Sequence, residues 1–243
     1  MKKVMLVTGG GRGIGAATAR LAAERGYAVC VNYRSDRAAA EKLAKEVGGI
    51  AVAADVAAEA DVVRMFETID AKLGRITALV NNAGVVDKGA RVEAISVPRL
   101  ERMFGINVYA SFLCAREAIK RMSKRHGGPG GAIVNLSSIA AKLGGPGEYV
   151  DYAAAKGAID SFTIGLAKEL GADGIRVNAV RPGIINTEIH ASSGDPARLG
   201  RIGALAPVGR YGEPDEIARA ILWLVSDDAS YTTGALLDVA GGR

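Results

Sequence analysis

Short, unbroken apolar runs recur along this chain, separated by longer stretches in which apolar residues return every three or four positions. Runs at 4–7, 28–31, 50–53, 78–80, 132–134, 176–180 and 236–239 are too short for helices and read as strands. The stretches 14–25, 37–47, 61–73, 97–124 and 214–225 carry the 3.6-residue period of amphipathic helices. Strands that are apolar on both faces and alternate with helices predict a parallel sheet covered on both sides. With right-handed crossovers this becomes a single-domain α/β fold, doubly wound, of about seven strands.

Composition narrows the class. A chain of 243 residues can bury roughly three quarters of its unfolded surface, so it needs no disulfide or metal staple. Its 49% hydrophobic and 23% charged residues are those of a folded globular protein, which excludes disorder. The net charge of +5 is spread along the chain with no block of like charges, so no nucleic-acid stripe is expected. A mild positive balance suits a protein that holds a phosphorylated cofactor. Cys30 and Cys114 lie inside apolar runs and read as buried, reduced thiols; with only His126 and His190 besides, no metal cluster can be assembled. The first apolar run is too short for a signal peptide, and nowhere do eighteen apolar residues run together. The expectation is a cytoplasmic protein with no membrane partner.

Glycine and proline punctuate the rest. Residues 127–131 read as a plain turn before a strand, whereas the stretch from Pro182 to Arg210 is long for a loop and reads as a substrate lid over 184–210. The first strand ends in Thr8-Gly9-Gly10-Gly11-Arg12-Gly13-Ile14-Gly15, which opens a helix. Glycines there let the backbone turn tightly and approach a pyrophosphate, which the free N–H groups and dipole of the helix start attract. No Gly-Lys-Ser/Thr follows, so it is not a phosphate-binding P-loop.

Thr-Gly-x-x-x-Gly-Ile-Gly resembles the cofactor loop of the short-chain dehydrogenase/reductase family, and the resemblance extends in order over essentially the whole chain. Asp55-Val56 resembles the family's adenine contact, and Asn81-Asn82-Ala83-Gly84 its signature after the fourth strand. Asn107, in Ile-Asn-Val, stands where the family has a catalytic asparagine; Ser137-Ser138, Tyr152-Ala-Ala-Ala-Lys156, Pro182-Gly183 and Thr187 complete the series. The resemblance implies a Rossmann-type fold, an oxidoreductase acting on a ketone or secondary alcohol, and a homotetramer or homodimer. It implies cofactor contacts at Gly9, Gly11, Arg12, Gly13, Ile14, Gly15, Asn32, Tyr33, Arg34, Asp55, Val56, Asn82, Ala83, Gly84, Tyr152, Lys156, Pro182, Gly183, Ile185 and Thr187. Asn107 is then expected to support a water between Lys156 and solvent, and a serine to hydrogen-bond the substrate oxygen. Thirteen residues before Tyr152, where many members carry that serine, stands Ile139; one extra residue in Gly144-Gly145-Pro146-Gly147 would make Ser138 the equivalent, with Ser137 the fallback.

Elementary chemistry supports the pair. Residues four apart on a helix share a face, and an ammonium beside a phenol favours the phenolate, so Lys156 is expected to lower the pKa of Tyr152. Tyr149 has Ala153 where a lysine would be needed and reads as a pocket wall. The second strand runs into Asn32-Tyr33-Arg34 with no acid at its tip, Asp36 reads as the cap of the next helix, and Arg12 adds a second cation. NADP(H) is therefore expected over NAD(H). Glu148, Tyr149, Asp151 and His190 are candidates for the substrate mouth, and Arg198, Arg201 and Arg210 for a basic patch beside it. The rival reading is a non-catalytic NADP(H)-binding sensor on the same fold.

Overall fold

A computed structural model of the chain describes residues 3–188 and 198–243, with the side chains of Arg198 and Arg201 left out. Seven parallel strands, β1 (Val4–Val7), β2 (Ala28–Tyr33), β3 (Ile50–Ala53), β4 (Ala78–Asn81), β5 (Gly131–Leu136), β6 (Ile175–Pro182) and β7 (Leu236–Val239), form one sheet in the order β3-β2-β1-β4-β5-β6-β7. The order reverses between β1 and β4, which leaves a crevice at the carboxyl ends of those strands.

Side chains alternate across the sheet, so each strand feeds two cores. Leu6, Leu79, Ile133 and Val177 face α3 (Glu59–Lys72), α5 (Ala110–Met122) and α7 (Val150–Leu170), where Phe66, Ile69, Ala118 and Leu170 close the layer. Met5, Val7, Val80 and Val134 face α1 (Gly13–Glu24), α2 (Arg37–Glu46) and α9 (Pro214–Val225), against Ala19, Leu43, Ile217 and Ile221. Asp36 accepts a hydrogen bond from the Ala39 backbone at 3.1 Å and starts α2, as its position suggested. Two short helices, α6 (Ala140–Leu143) and α8 (Arg198–Gly203), lie outside these layers, close to the crevice.

One expected element is broken. Residues 97–124 were read as one helix, but α4 (Val97–Phe104) passes through a π-helical turn, Gly105–Tyr109, before α5 begins. The wider turn costs local hydrogen-bond geometry. The buried Asn107 within it compensates, donating to Met103 O and Val85 O at 3.0 Å each and accepting from Val85 N at 3.2 Å.

A buried polar chain crosses the first core. Asn81 Nδ2 donates to Asn135 Oδ1 at 2.9 Å, and Asn135 Nδ2 to Thr163 Oγ1 at 2.9 Å, joining β4, β5 and α7. Every link sits in low dielectric, so removing the middle one strands its neighbours. Asn135→Ala is expected to cost about 2 kcal/mol in urea unfolding, with an unchanged denaturant slope.

Candidate active site

The turn between β1 and α1 supplies one wall of the crevice. Gly9 and Gly13 have φ of +58° and +52°, a region in which a side chain would be strained. Thr8 and Asn82 lash this turn to the end of β4. Thr8 Oγ1 accepts from Asn82 N and Ala83 N at 3.0 Å, while Asn82 Nδ2 donates to Thr8 O at 2.8 Å and Gly9 O at 3.0 Å. Arg12, the N-cap of α1, makes no side-chain cap, and the first helical turn carries no acid. Free N–H groups and a positive dipole end therefore open into the crevice, which is the chemistry a pyrophosphate requires.

A continuous cleft of about 590 Å³ runs from this turn to the substrate side. Of the residues expected to contact cofactor, Gly9, Gly11, Arg12, Gly13, Ile14, Asn32, Tyr33, Arg34, Asp55, Val56, Asn82, Ala83, Gly84, Tyr152, Lys156, Pro182, Gly183, Ile185 and Thr187 line it. Gly15 does not. A Cβ there would sit 2.6 Å from Asn82 Nδ2 and 2.7 Å from Gly9 O, so this glycine is needed for packing under the loop. Asn32 lines the cleft, but its amide is committed: Oδ1 accepts from Gly9 N at 3.1 Å and Nδ2 donates to Ala54 O at 3.1 Å. Thr8 was not singled out from sequence, although a hydroxyl at the strand end is the signal that could have marked it.

At the other end, Ser138, Tyr152 and Lys156 meet on the cleft floor. Ser138 lines the cleft and its Oγ accepts from Ala140 N at 3.1 Å, whereas Ser137 Oγ turns away and donates to Lys156 O at 3.1 Å. Lys156 Nζ donates to Leu136 O at 2.6 Å and lies 5.6 Å from the centre of the Tyr152 ring. The expected depression of the tyrosine pKa is not what results. Burial pushes Tyr152 above its usual 10, and only the nearby Ser138 hydroxyl works against the rise. Burial also pulls Lys156 down from 10.5 to about 8, because an ammonium loses its hydration there.

Asn107 lies behind the cleft wall, where its Oδ1 would stand 2.9 Å from a Cβ at Gly84. At the mouth, Glu148 and Tyr149 line the cleft. Asp151 does not: it is buried in a two-bond pair with Arg99, at 2.7 and 3.1 Å, which ties α4 to the first turn of α7. Arg210 is likewise taken, bonded through both amino nitrogens to Glu216 at 2.8 Å, so it is not free to extend a basic patch. The described ends of 184–210 border the cleft through Ile184, Thr187, Glu188 and Ile202; His190 and the arginine side chains at 198 and 201 lie outside the described residues.

A glycine turn at a strand-order reversal, with a Ser-Tyr-Lys group at the far end of one cleft, defines a nicotinamide-dependent oxidoreductase of the Rossmann type. Residues 9–243 match the family model described as enoyl-(acyl carrier protein) reductase. An uncharacterised oxidoreductase of Escherichia coli (strain K12), YgfF, is 52% identical over 245 residues, 99% of each chain. The 3-ketoacyl-(acyl-carrier-protein) reductase of Brucella melitensis complexed with NADH superposes with a TM-score of 0.93 at 36% identity, over 99% of this chain and 98% of that one. A blue fluorescent protein from a metagenomic library, in complex with NADPH, gives 0.90 at 36% identity, over 99% and 97%. The chain belongs to the short-chain dehydrogenase/reductase family, enzymes acting on CH–OH groups.

The buried lysine carries a stability cost. Its folded pKa lies below the unfolded one, so the penalty is fully present below about pH 8 and is relieved as pH rises toward 10.5. Lys156→Met is therefore expected to raise the unfolding free energy at pH 7 by about 1–3 kcal/mol and to flatten its rise between pH 8 and 10. Urea titrations across that range check it; a less stable variant with an unchanged slope would contradict it.

Proposed function

We propose that this enzyme interconverts a ketone and a secondary alcohol with NADP(H), Tyr152 moving the oxygen-bound proton. The reading rests chiefly on Ser138 and Tyr152 lining one cleft floor, with Lys156 one turn along the same helix as the tyrosine. The bound nicotinamide supplies or accepts the hydride at the carbonyl carbon. Ser138 orients the substrate oxygen beside the phenol, and Tyr152 donates its proton to that oxygen in reduction and recovers it in oxidation. Burial keeps Tyr152 protonated at neutral pH, the state that reduction uses; oxidation should gain as pH rises. Lys156 would hold the nicotinamide ribose through its ammonium, and Asn107 would fix the Gly84–Val85 wall where a water could link that ammonium to solvent.

The NADP(H) preference is supported by the absence of a carboxylate able to hold a ribose 2′-hydroxyl at the tip of β2. Asp36 is engaged in capping α2, and Arg34 meets Asp55 only loosely, at 3.7 Å, on the exposed rim. Arg34 and Arg12 are thus available to a 2′-phosphate.

The same reading includes a homo-oligomer, dimer or tetramer. Phe112 and Ile164 are exposed on α5 and α7, with Tyr109 exposed in the π turn just before α5 and Phe112 stacked on Phe162 at 3.9 Å. This apolar face suits a second copy of the chain. Trp223 is exposed on α9, on the opposite side of the sheet, and would belong to a second contact. No helix among the described residues is long and apolar enough to cross a membrane. Cys30 and Cys114 are buried and free, with burial pushing both thiols up to about 12, which suits the reducing cytoplasm.

Tyr152→Phe is expected to lower kcat/KM for ketone reduction by about 100-fold or more, and equal rates in the two proteins would overturn the mechanism. Fluorescence titration should show NADPH binding more tightly than NADH. Arg34→Asp should shift the ratio toward NADH by about 10- to 100-fold, and tighter NADH binding by the native protein would remove the cofactor assignment.

A further inference from the structure

Four residues beyond Lys156, on the same face of α7, stands Asp160. It is 8% exposed and meets Arg181 through one oxygen alone: Arg181 Nε and Nη2 reach its Oδ2 at 3.0 and 2.7 Å. Its other oxygen, Oδ1, is buried and has no hydrogen-bond partner among the described residues. Such groups are rare in folded proteins, because leaving an ionised acceptor unpaired is costly. Asp160 differs in this from Asp151, the other buried acid of α7, both of whose oxygens are bonded to Arg99.

The pair belongs to a longer chain of charges. Arg181 also approaches Asp238 on β7 at 3.4 Å, and Asp238 pairs with Lys142 on α6. Arg181 directly precedes Pro182-Gly183, and α6 directly follows Ser138-Ile139. The chain therefore links three segments of the cleft wall behind the reacting groups. Among the described residues, the groups beside the Lys156 ammonium are the Tyr152 ring, the Leu136 carbonyl at the end of β5 and Asn107 across Gly84, with Asp160 one turn further along the same helix. Arg181, from β6, reaches the lysine only by way of Asp160.

We propose that Asp160 is a positioning residue for the reaction: a fixed negative charge one turn from Lys156 that keeps the lysine an ammonium in its buried seat, with Arg181 setting how much of that charge the lysine feels. The inference rests on the reading that Lys156 works as a cation in the cleft. Helical side chains lean toward the helix N-terminus, so the Asp160 carboxylate leans toward the turn that carries Lys156. Burial drives the lysine toward neutrality, and Asp160 is the group that opposes it. A carboxylate with both oxygens paired would oppose it less.

The proposal makes a sign prediction that a merely structural ion pair does not. Removing the carboxylate should make Lys156 lose its proton more easily, whereas removing the arginine should make it hold the proton more firmly. Trace labelling of the native full-length protein with acetic anhydride, quantified on the Lys156 peptide by mass spectrometry across pH 6–10, reads this directly. Asp160→Asn is expected to move the midpoint down by about one pH unit and to speed labelling at pH 7 about fivefold. Arg181→Gln should move it up, and Asp160→Glu should restore the native midpoint. No shift, or shifts of the same sign in Asp160→Asn and Arg181→Gln, would overturn the proposal. Should Asp160→Asn fail to fold, Arg181→Gln decides alone: an upward shift supports the role and an unchanged midpoint removes it. Labelling needs no turnover, so this result stands apart from the Tyr152→Phe comparison.

Discussion

The Asn82 side-chain amide gives both its hydrogens to the glycine turn, one to Thr8 O and one to Gly9 O, and so fixes the crevice where the sheet reverses its order. A parallel sheet leaves its loops free at the carboxyl edge, and two loops that diverge there would drift apart without a tie. Thr8 answers from the other side by accepting two backbone N–H groups of the β4 loop. Everything placed in the cleft depends on that lashing. It sets the spacing between the dipole end of α1 and the floor formed by Ser138 and Tyr152, and so the length of ligand that can span them. Gly15 is part of the same device, because a methyl group there would drive Asn82 off the loop.

Helix α7 is the second organising element, and polar contacts place it as much as apolar packing does. Arg99 holds its first turn through Asp151, Asn135 reaches Thr163 from β5, and Arg181 meets Asp160 between them. Buried ion pairs seldom add net stability, since desolvation offsets the attraction. Their value here is directional: α7 is apolar on several faces, and an oily helix could roll or slide with little penalty. Three polar contacts along its length fix its rotation, so Tyr152 and Lys156 point into the cleft. Burial then sets their ionisation in a way that simple neighbour arguments miss. Each loses hydration, which raises the phenol and lowers the amine, and this outweighs what the two groups do to each other.

The parts of the fold governed by local periodicity were legible in the chain itself. The strands fall where the apolar runs put them, because a strand buried on both sides has no polar alternation to obscure it. The surface helices follow their periodicity too, but α7, apolar on several faces, shows no clear stripe and was not among the stretches the period marked. The glycine turn and the Asp36 cap were legible for a related reason: each answers a backbone demand that only a few residue types meet. What could not be read were outcomes of distant packing. The sequence points to Asn107 and Asn32 as site residues but does not show that their amides also hold the backbone, at Met103 and Val85 in one case and at Gly9 and Ala54 in the other. Asp151 and Arg210 looked available to a substrate and are paired to residues 52 and 6 positions away. The choice between Ser137 and Ser138 has the same character, since adjacent residues leaving a strand point opposite ways and spacing alone does not say which faces the tyrosine.

The π turn at Gly105–Tyr109 has a consequence for how this region tolerates change in length. A π turn is equivalent to one residue wound into an α-helix, and each residue of an α-helix advances the face by about 100°. The turn therefore resets the phase between α4 and α5, so the apolar stripe of one need not continue that of the other. Deleting a single residue here would relax the backbone into an unbroken α-helix and leave α5 in register with its core, so Cys114 and Ala118 would keep their places against the sheet. Asn107, by contrast, would lose the turn that aims its amide at Val85. The bulge thus absorbs one residue without passing a rotation on to α5, whereas a change of length inside α4 or α5 has no such absorber.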